Sequence, residues 1–377
     1  MRRVRLKKIG TFYSGLSGKS KSDFSEGNAL LVTYRNIFNN PVLNPAIKDT
    51  VVVGKDEKQN EVLWGDILIT GSSETPADAG MSSVVLFNPQ EKLYLNSFCF
   101  GFRLNDMNEA LPSYIGHLLR STSIRAAISK TAFGVTRFNV NRMRFADIEI
   151  PLPPLNIQKE IVSILDSFTS LIGKMKQEVE MRKKQMEYYR EKLMAPQTNW
   201  KIKTLGEIGT FTRGNGLQKS DFRVKGFPCV HYGQIHTYYN TCIYKTKSFC
   251  EEDLAKKLQK ASYGDLLIAT TSEDVKACCK AAVWFGAGDV AYSGDSFCYS
   301  HDQDPKYMAY LFQTEMFAKQ KQKAATGAKV IRVSGESMAS FSFAFPPLVQ
   351  QRQIASILDT FETYISKLEK MIELRQK

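Results

Sequence analysis

The sequence predicts an α+β chain in which one mixed α/β domain is used twice, each copy followed by a long helix. Three observations predict it: an internal duplication, short strand-like runs alternating with proline-opened helical runs, and a heptad of apolar residues that closes each copy. The duplication is read directly. Ile9-Gly10-Thr11-Phe12 returns as Ile208-Gly209-Thr210-Phe211, and Ser22-Asp23-Phe24 as Ser220-Asp221-Phe222. Gly65-Asp66-Ile67-Leu68-Ile69 returns as Gly264-Asp265-Leu266-Leu267-Ile268, and Ser97-Phe98-Cys99 as Ser296-Phe297-Cys298. Pro153-Pro154-Leu155 and Ser163-Ile164-Leu165-Asp166 return as Pro346-Pro347-Leu348 and Ser356-Ile357-Leu358-Asp359. The offset is 198 or 199 early and 193 late. Such a period is too long for a solenoid and implies two copies of a whole domain.

Within the globular parts, Leu30–Tyr34, Ile67–Thr70, Ser83–Phe87 and Leu266–Thr270 read as strands, being short, β-branched or aromatic, and flanked by turn formers. Pro112 to Ile128 and Pro305 to Lys323 each read as a helix that opens on proline. The closing helices are the most legible elements. In the first copy Ile161, Leu165, Phe168, Ile172, Met175, Val179, Arg182, Met186, Tyr189 and Leu193 alternate gaps of four and three. In the second, Ile354, Leu358, Phe361, Ile365, Leu368, Ile372 and Arg375 repeat the pattern. That spacing is the seam of a coiled coil. Pro151, Pro153 and Pro154 block helix before the first, and Pro196 stops it. From Asn156 to Ala195 the helix would be roughly 60 Å long. Equivalence of the copies implies an antiparallel pair of helices, pseudo-two-fold symmetric, with the globular parts at its opposite ends. The expected divisions are 1–152 and 197–345 for the globular parts, and 153–196 and 346–377 for the helical ones.

Composition bounds the function. The net charge is +13, with 19 basic against 14 acidic residues in 1–152 and the same numbers in 198–347. Two equally basic domains suit two equivalent contacts with a polyanion. No apolar run approaches a membrane span, and Met1-Arg2-Arg3-Val4-Arg5 has no apolar stretch behind it. The seven cysteines include no CxxC pair, which suits reduced thiols and a cytoplasmic location.

No catalytic constellation stands out. Both Pro-Pro pairs follow an apolar residue, Leu152 or Phe345, so neither forms the Asp/Asn-Pro-Pro-aromatic loop of an amino-methyltransferase. There is no GxGxxG and no P-loop. Asp265 with Asp274-Val275-Lys276 has nuclease-like spacing, but the equivalent of the latter, Glu74-Thr75-Pro76, has no lysine. His231 and His236 lie near Cys229 and Cys242 without a metal-ligand pattern, so no metal ligand is assigned.

Nucleic-acid contact is better supported. Basic, glycine-rich loops near the start of each copy carry Lys19 and Lys21, and Arg213 and Lys219. Tyr34-Arg35-Asn36 and Tyr232-Gly233-Gln234 occupy equivalent frames with side chains able to read base edges. Lys130, Arg137, Asn139 and Arg142 bracket Gly134, while Lys321, Lys323, Lys329 and Arg332 bracket Gly327. These are the candidate DNA contacts. Ile161, Leu165, Phe168, Ile172, Met175, Val179, Ile354, Leu358, Phe361, Ile365, Leu368 and Ile372 are the candidates for the helix seam and for subunit docking.

The chain resembles the specificity (S) subunits of type I restriction–modification enzymes. The resemblance rests on the Ile-Gly-Thr-Phe that opens each copy, on Gly-Asp-Ile/Leu-Leu-Ile, and on Pro-Pro-Leu-x-x-Gln (Gln158, Gln351) leading into the heptad helix. The family's usual glutamate before that glutamine is here Ile157 or Gln350. The resemblance implies two target-recognition domains, each reading half of a bipartite site in double-stranded DNA. It implies helices that act as the family's conserved spacer regions and dock two methyltransferase subunits. Restriction subunits would join in systems that have them. It also implies no catalysis and no cofactor on this chain, with S-adenosylmethionine on the methyltransferase subunits and ATP and Mg2+ on the restriction subunits. A coiled-coil adaptor joining two protein partners without sequence-specific DNA binding is the alternative.

Overall fold

The computed structural model describes residues 2–24 and 26–376, in two compact units, 1–171 and 172–377. In the first unit a four-stranded antiparallel sheet runs in the order Gly10–Ser14, Cys99–Leu104, Ile67–Thr70, Ser82–Val84. The second unit repeats this order as Gly209–Arg213, Ser296–His301, Leu266–Ala269, Lys280–Trp284 and adds Cys242–Ile243 at the edge. Each unit carries a second small sheet, centred on Ala29–Val32 or on Phe227–Val230 paired with Val290–Tyr292. The doubled Gly-Asp-x-Leu-Ile motif is thus the turn into the middle of the main sheet, where Ile67, Leu68 and Ile69, like Leu266, Leu267 and Ile268, are fully buried. A strand hidden on both faces needs a continuous apolar run rather than an alternating one.

Asp66 and Asp265 hold that turn rather than a metal. Asp66 accepts from the backbone N–H of Leu63 at 2.9 Å, from the Tyr13 hydroxyl at 2.7 Å and from two nitrogens of Arg103 at 2.8 and 2.7 Å. Asp265 accepts from the N–H of Ser262 at 2.8 Å, and Asp274 turns back onto the N–H of Lys276 at 3.0 Å. The nuclease-like spacing is therefore two local turns.

Three sequence expectations are corrected. The strand expected over Leu30–Tyr34 ends at Val32, because Thr33 caps the short helix Tyr34–Asn39. The Ser83–Phe87 strand is only Ser82–Val84. The two proline-opened helices are each broken, into Pro112–Arg120 and Thr122–Ser129, and into Pro305–Leu311 and Glu315–Ala324. The second break is a new N-cap, with the Thr314 hydroxyl accepting from the N–H of Phe317 at 3.2 Å.

The doubled Pro-Pro-Leu-x-x-Gln also gains a cause. Gln158 is fully buried. Its oxygen accepts from the N–H of Leu111 at 2.9 Å, and its nitrogen donates to the carbonyls of Glu109 and Pro153 at 2.9 and 2.8 Å. Gln351 repeats this with the N–H of Asp304 at 3.0 Å, the Gln303 side chain at 2.7 Å and the Pro346 carbonyl at 2.9 Å. One glutamine thus satisfies the loop before the domain's last helix pair and the start of the long helix. A buried amide is held only when its donors and acceptors are matched.

Burial lowers the pKa of His301 and of His231 in the second unit, so both are neutral near pH 7. The sign follows from linkage. The unfolded chain binds these protons at about pH 6.5, the folded unit only at lower pH, so stability falls as pH drops through about 6.5. Calorimetry at pH 7.5 and 5.5 is expected to show a lower second-unit transition at the acid pH, and His301→Phe to remove part of that difference.

Candidate nucleic-acid interface

Each unit projects a hairpin at an equivalent place. In the first, Ala132–Phe133 pairs with Phe138–Val140, which in turn pairs with Ser72–Ser73. In the second, Thr326 and Arg332 exchange both backbone hydrogen bonds at 2.9 Å, and Ile331–Arg332 pairs with Thr271–Ser272. The turns share one geometry. Gly134 has φ +134 and Gly327 φ +101, and a Cβ on either would come within 2.0 or 2.1 Å of the carbonyl oxygen three residues on, at Arg137 or Val330. Only glycine fits. Between these points the exposed tips differ, Val135-Thr136 against Ala328-Lys329.

In the first unit the hairpin adjoins the helix Tyr34–Asn39 across a cavity of about 580 Å³ lined by Tyr34, Phe38, Ser72, Asp78, Thr136 and Arg137. Tyr34 stacks on Phe38 at 5.6 Å. Arg137 donates to the Ser72 hydroxyl at 2.9 Å and lies over the Phe98 ring at 5.3 Å. Arg142 donates to the Ser14 hydroxyl at 2.8 Å and lies over Phe100 at 5.0 Å. These contacts steer the two guanidinium groups yet leave both residues exposed, as are Lys21, Arg35, Lys130 and Asn139. In the second unit His236 bonds the Thr271 carbonyl at 2.9 Å, which ties the helix Tyr232–Thr237 to the strand beside Arg332. Tyr232 packs on His231 with ring centres 4.5 Å apart. Arg213, Lys219, Lys323, Lys329 and Arg332 are exposed.

Four sequence candidates have side-chain groups that the fold already engages. Asn36 accepts from the Thr33 backbone and hydroxyl at 2.8 and 2.6 Å as part of a capping box. Gln234 accepts from the N–H of His231 at 3.0 Å and donates to Ser248 at 2.7 Å. Lys19 is nearly buried in an ion pair with Glu57, whose carboxyl it holds well below the usual carboxylate range. Lys321 is buried and donates to the carbonyls of Lys276 and Cys278 at 2.9 and 2.8 Å. Its structural counterpart is Arg125, which donates to the carbonyls of Ala77, Ala79 and Gly80 at 2.6, 2.6 and 2.7 Å. In both units a cation on the second half of the broken helix, Thr122–Ser129 or Glu315–Ala324, pins the same loop. That loop requires a left-handed residue, Gly80 in one copy and Cys279 (φ 61) in the other.

Four exposed apolar residues were not singled out from the sequence: Phe98, Phe133, Val135 and Met143. The polar and basic residues that bracket Gly134 were the sequence signal at that site. Among the described residues no group of three or more His, Cys, Asp or Glu is arranged to hold a metal ion, and no helix is long and apolar enough to cross a membrane.

The long helices are Leu155–Met194 and Leu348–Gln376. Within the second unit they pair antiparallel. Met175, Val179, Ile365, Leu368 and Ile372 form one apolar cluster with Ile172 packed against it. Arg375 meets Met175 near one end, Lys183 bonds Glu369 at 2.8 Å, and Tyr189 stacks on Phe361 at 5.6 Å further along. The rest of the expected seam does something else. Ile161 packs on the core of the first unit, and Ile354 and Leu358 are buried in the core of the second. Leu165 and Phe168 are 38% and 54% exposed, because their helix leaves its domain core after Val162. Asp166 and Asp359 tie each helix to its domain at the same point, through His117 at 2.7 Å and the Tyr310 hydroxyl at 2.8 Å.

The family model described as the type I restriction modification DNA specificity domain matches this chain twice, over residues 2–181 and 197–376. An Escherichia coli relative, described as the type I restriction enzyme EcoR124I/EcoR124II specificity subunit, is 26% identical over 244 residues, covering 61% of this chain and 60% of its own. A Haemophilus influenzae chain, provisionally assigned as the type I restriction enzyme specificity subunit S.HindORF215P, is 28% identical over 253 residues, covering 64% of this chain and 63% of its own. The chain thus spans about three fifths of the length of these curated relatives. A solved structure concerned with "complex assembly" and "conformational transition of the type I R-M system" has a chain that matches with a TM-score of 0.65 at 15% identity, covering 100% of this chain and 93% of that one. At that identity the likeness carries the fold alone.

Proposed function

Because the chain belongs to the type I restriction modification DNA specificity family, we propose that it is a non-catalytic subunit that selects a bipartite site in double-stranded DNA. The observation that supports this most is the pair of hairpins, closed by the same glycine geometry at Gly134 and Gly327 yet tipped with different residues. One frame used twice with unlike tips suits two different half-sites, since backbone and phosphate contacts position a reader while side chains on base edges specify it. In this proposal residues 1–152 and 197–345 are the two readers, and the helical parts 153–196 and 346–377 set the unread gap.

The exposed cations Arg137, Arg142, Lys130, Lys21 and Arg35 would meet the first half-site. Arg213, Lys219, Lys323, Lys329 and Arg332 would meet the second. Two methyltransferase subunits would dock on the helical parts, where Leu165 and Phe168 offer uncovered apolar surface. S-adenosylmethionine would belong to those subunits, and ATP and Mg2+ to restriction subunits where the system has them. The site of action would be the cytoplasm.

The test is a genome-wide map of methylated adenine with and without the gene. The expected outcome is a split motif of fixed gap that loses its methylation when the gene is removed. Unchanged methylation at every split motif would overturn the proposal.

A further inference from the structure

The first unit's hairpin ends in apolar side chains that the fold does not use. Val135 is 89% exposed, Phe133 58% and the neighbouring Phe98 60%. A lone exposed valine is ordinary, but three such residues on and beside one hairpin, whose strand Phe138–Val140 also pairs with Ser72–Ser73, are a patch. Arg137 lies over Phe98, and Lys130 and Asn139 flank the same ribbon, so the patch has a basic, polar rim. The second unit has the same turn with Ala328 and Lys329 in place of Val135 and Thr136, so the turn itself does not require the valine.

We infer that the Gly134–Arg137 tip enters the major groove and reads the C5-methyl of thymine in the first half-site through Val135, with Phe133 beside it. This rests on the DNA-specificity reading above and goes further by naming the chemical feature read. A two-stranded ribbon fits the major groove, and the thymine methyl is the one apolar mark that the groove displays. Glu74 and Asp78 line the adjoining cavity, but the exposed cations Arg137, Lys130 and Arg142 beside the patch outnumber them and favour a polyanion over a protein partner there.

The experiment uses the chain in complex with its co-expressed methyltransferase subunits and a synthetic duplex carrying the mapped motif. Deoxyuridine, which lacks the methyl, replaces each thymine in turn. Loss of the contact is expected to weaken binding about fourfold at one or more positions of one half-site. In Val135→Ser the same positions are expected to bind dT and dU alike, with the gap and the other half-site unchanged. Phe133→Ser is a second variant on the same ribbon, expected to reduce the same sensitivity. A methyl effect that persists undiminished in Val135→Ser would overturn the inference, as would binding indifferent to every thymine methyl. A Val135→Ser chain that no longer assembles with its methyltransferase subunits would instead assign the tip to a protein partner and overturn it. Failure of the wild-type complex to bind any split site would sink the DNA-specificity reading itself, an outcome distinct from intact binding without methyl sensitivity.

Discussion

Inserting one heptad between Lys174 and Arg190 is expected to change the gap between the two half-sites and to leave the bases read in each unchanged. Seven residues preserve the four–three phase on which Met175 and Val179 meet Ile365, Leu368 and Ile372. The inserted helix adds about 10 Å, which is at most about three base pairs of B-DNA, and fewer where helix and duplex are inclined. An insertion of two residues would rotate the following helix by about 200° and turn the seam to solvent, so it is expected to abolish methylation altogether. Methylation mapping of the two variants checks both outcomes. A heptad variant that recognised altered half-site bases would refute the division between readers and spacer.

Asp66→Ala is expected to lower the melting temperature of the first unit markedly while Asp265→Ala is tolerated, although the two aspartates are equivalent in the repeat. Asp66 is fully buried and satisfies Arg103, Tyr13 and the N–H of Leu63 together. In the second unit the sheet register puts Ser300 where Arg103 stands and Thr212 where Tyr13 stands. Among the described residues Asp265 therefore accepts only from the N–H of Ser262 and the Cys298 thiol. Arg103 is 38% exposed, so water screens the charge left behind, and losing the Arg103, Tyr13 and Leu63 contacts together costs about 3 kcal/mol, at about 1 kcal/mol each. Losing an ordinary turn hydrogen bond costs about 1 kcal/mol. For units of this size the first change corresponds to roughly 6–12 °C in melting temperature. Calorimetry of the two variants reads the difference, and equal shifts would mean that the Arg103–Asp66 pair adds nothing beyond the shared turn.

The duplicated turn and the long helices were legible because each is written in local terms. Gly-Asp before an apolar run marks a turn into a buried strand, and a four–three stripe bounded by prolines marks a long helix. The helix breaks at Ser121 and near Thr314 were not read, because the apolar pattern runs on through them and masks the local cap at Thr314 that opens the second helix. The same limit applied within the interface. Lys321 and Lys329 look alike in the sequence, yet one is buried on the carbonyls of Lys276 and Cys278 and the other is exposed.

By itself, then, the sequence determined that one domain is used twice, where its long helices begin, and that two frames carry unlike loops. Spacing, caps and periodicity act between near neighbours, so they can be read along the chain. Only the tertiary structure decided which polar groups remain unengaged. Asn36, Gln234, Lys19 and Lys321 are engaged, while Arg137 and Arg142 are merely steered and Val135 projects. For Lys19 and Lys321 the partner lies on another element, as Ser248 does for Gln234, and for Asn36 it is Thr33, which the sequence reading placed in a strand and which caps a helix. A buried polar group is settled by the partner it meets there, and residue type alone does not name that partner.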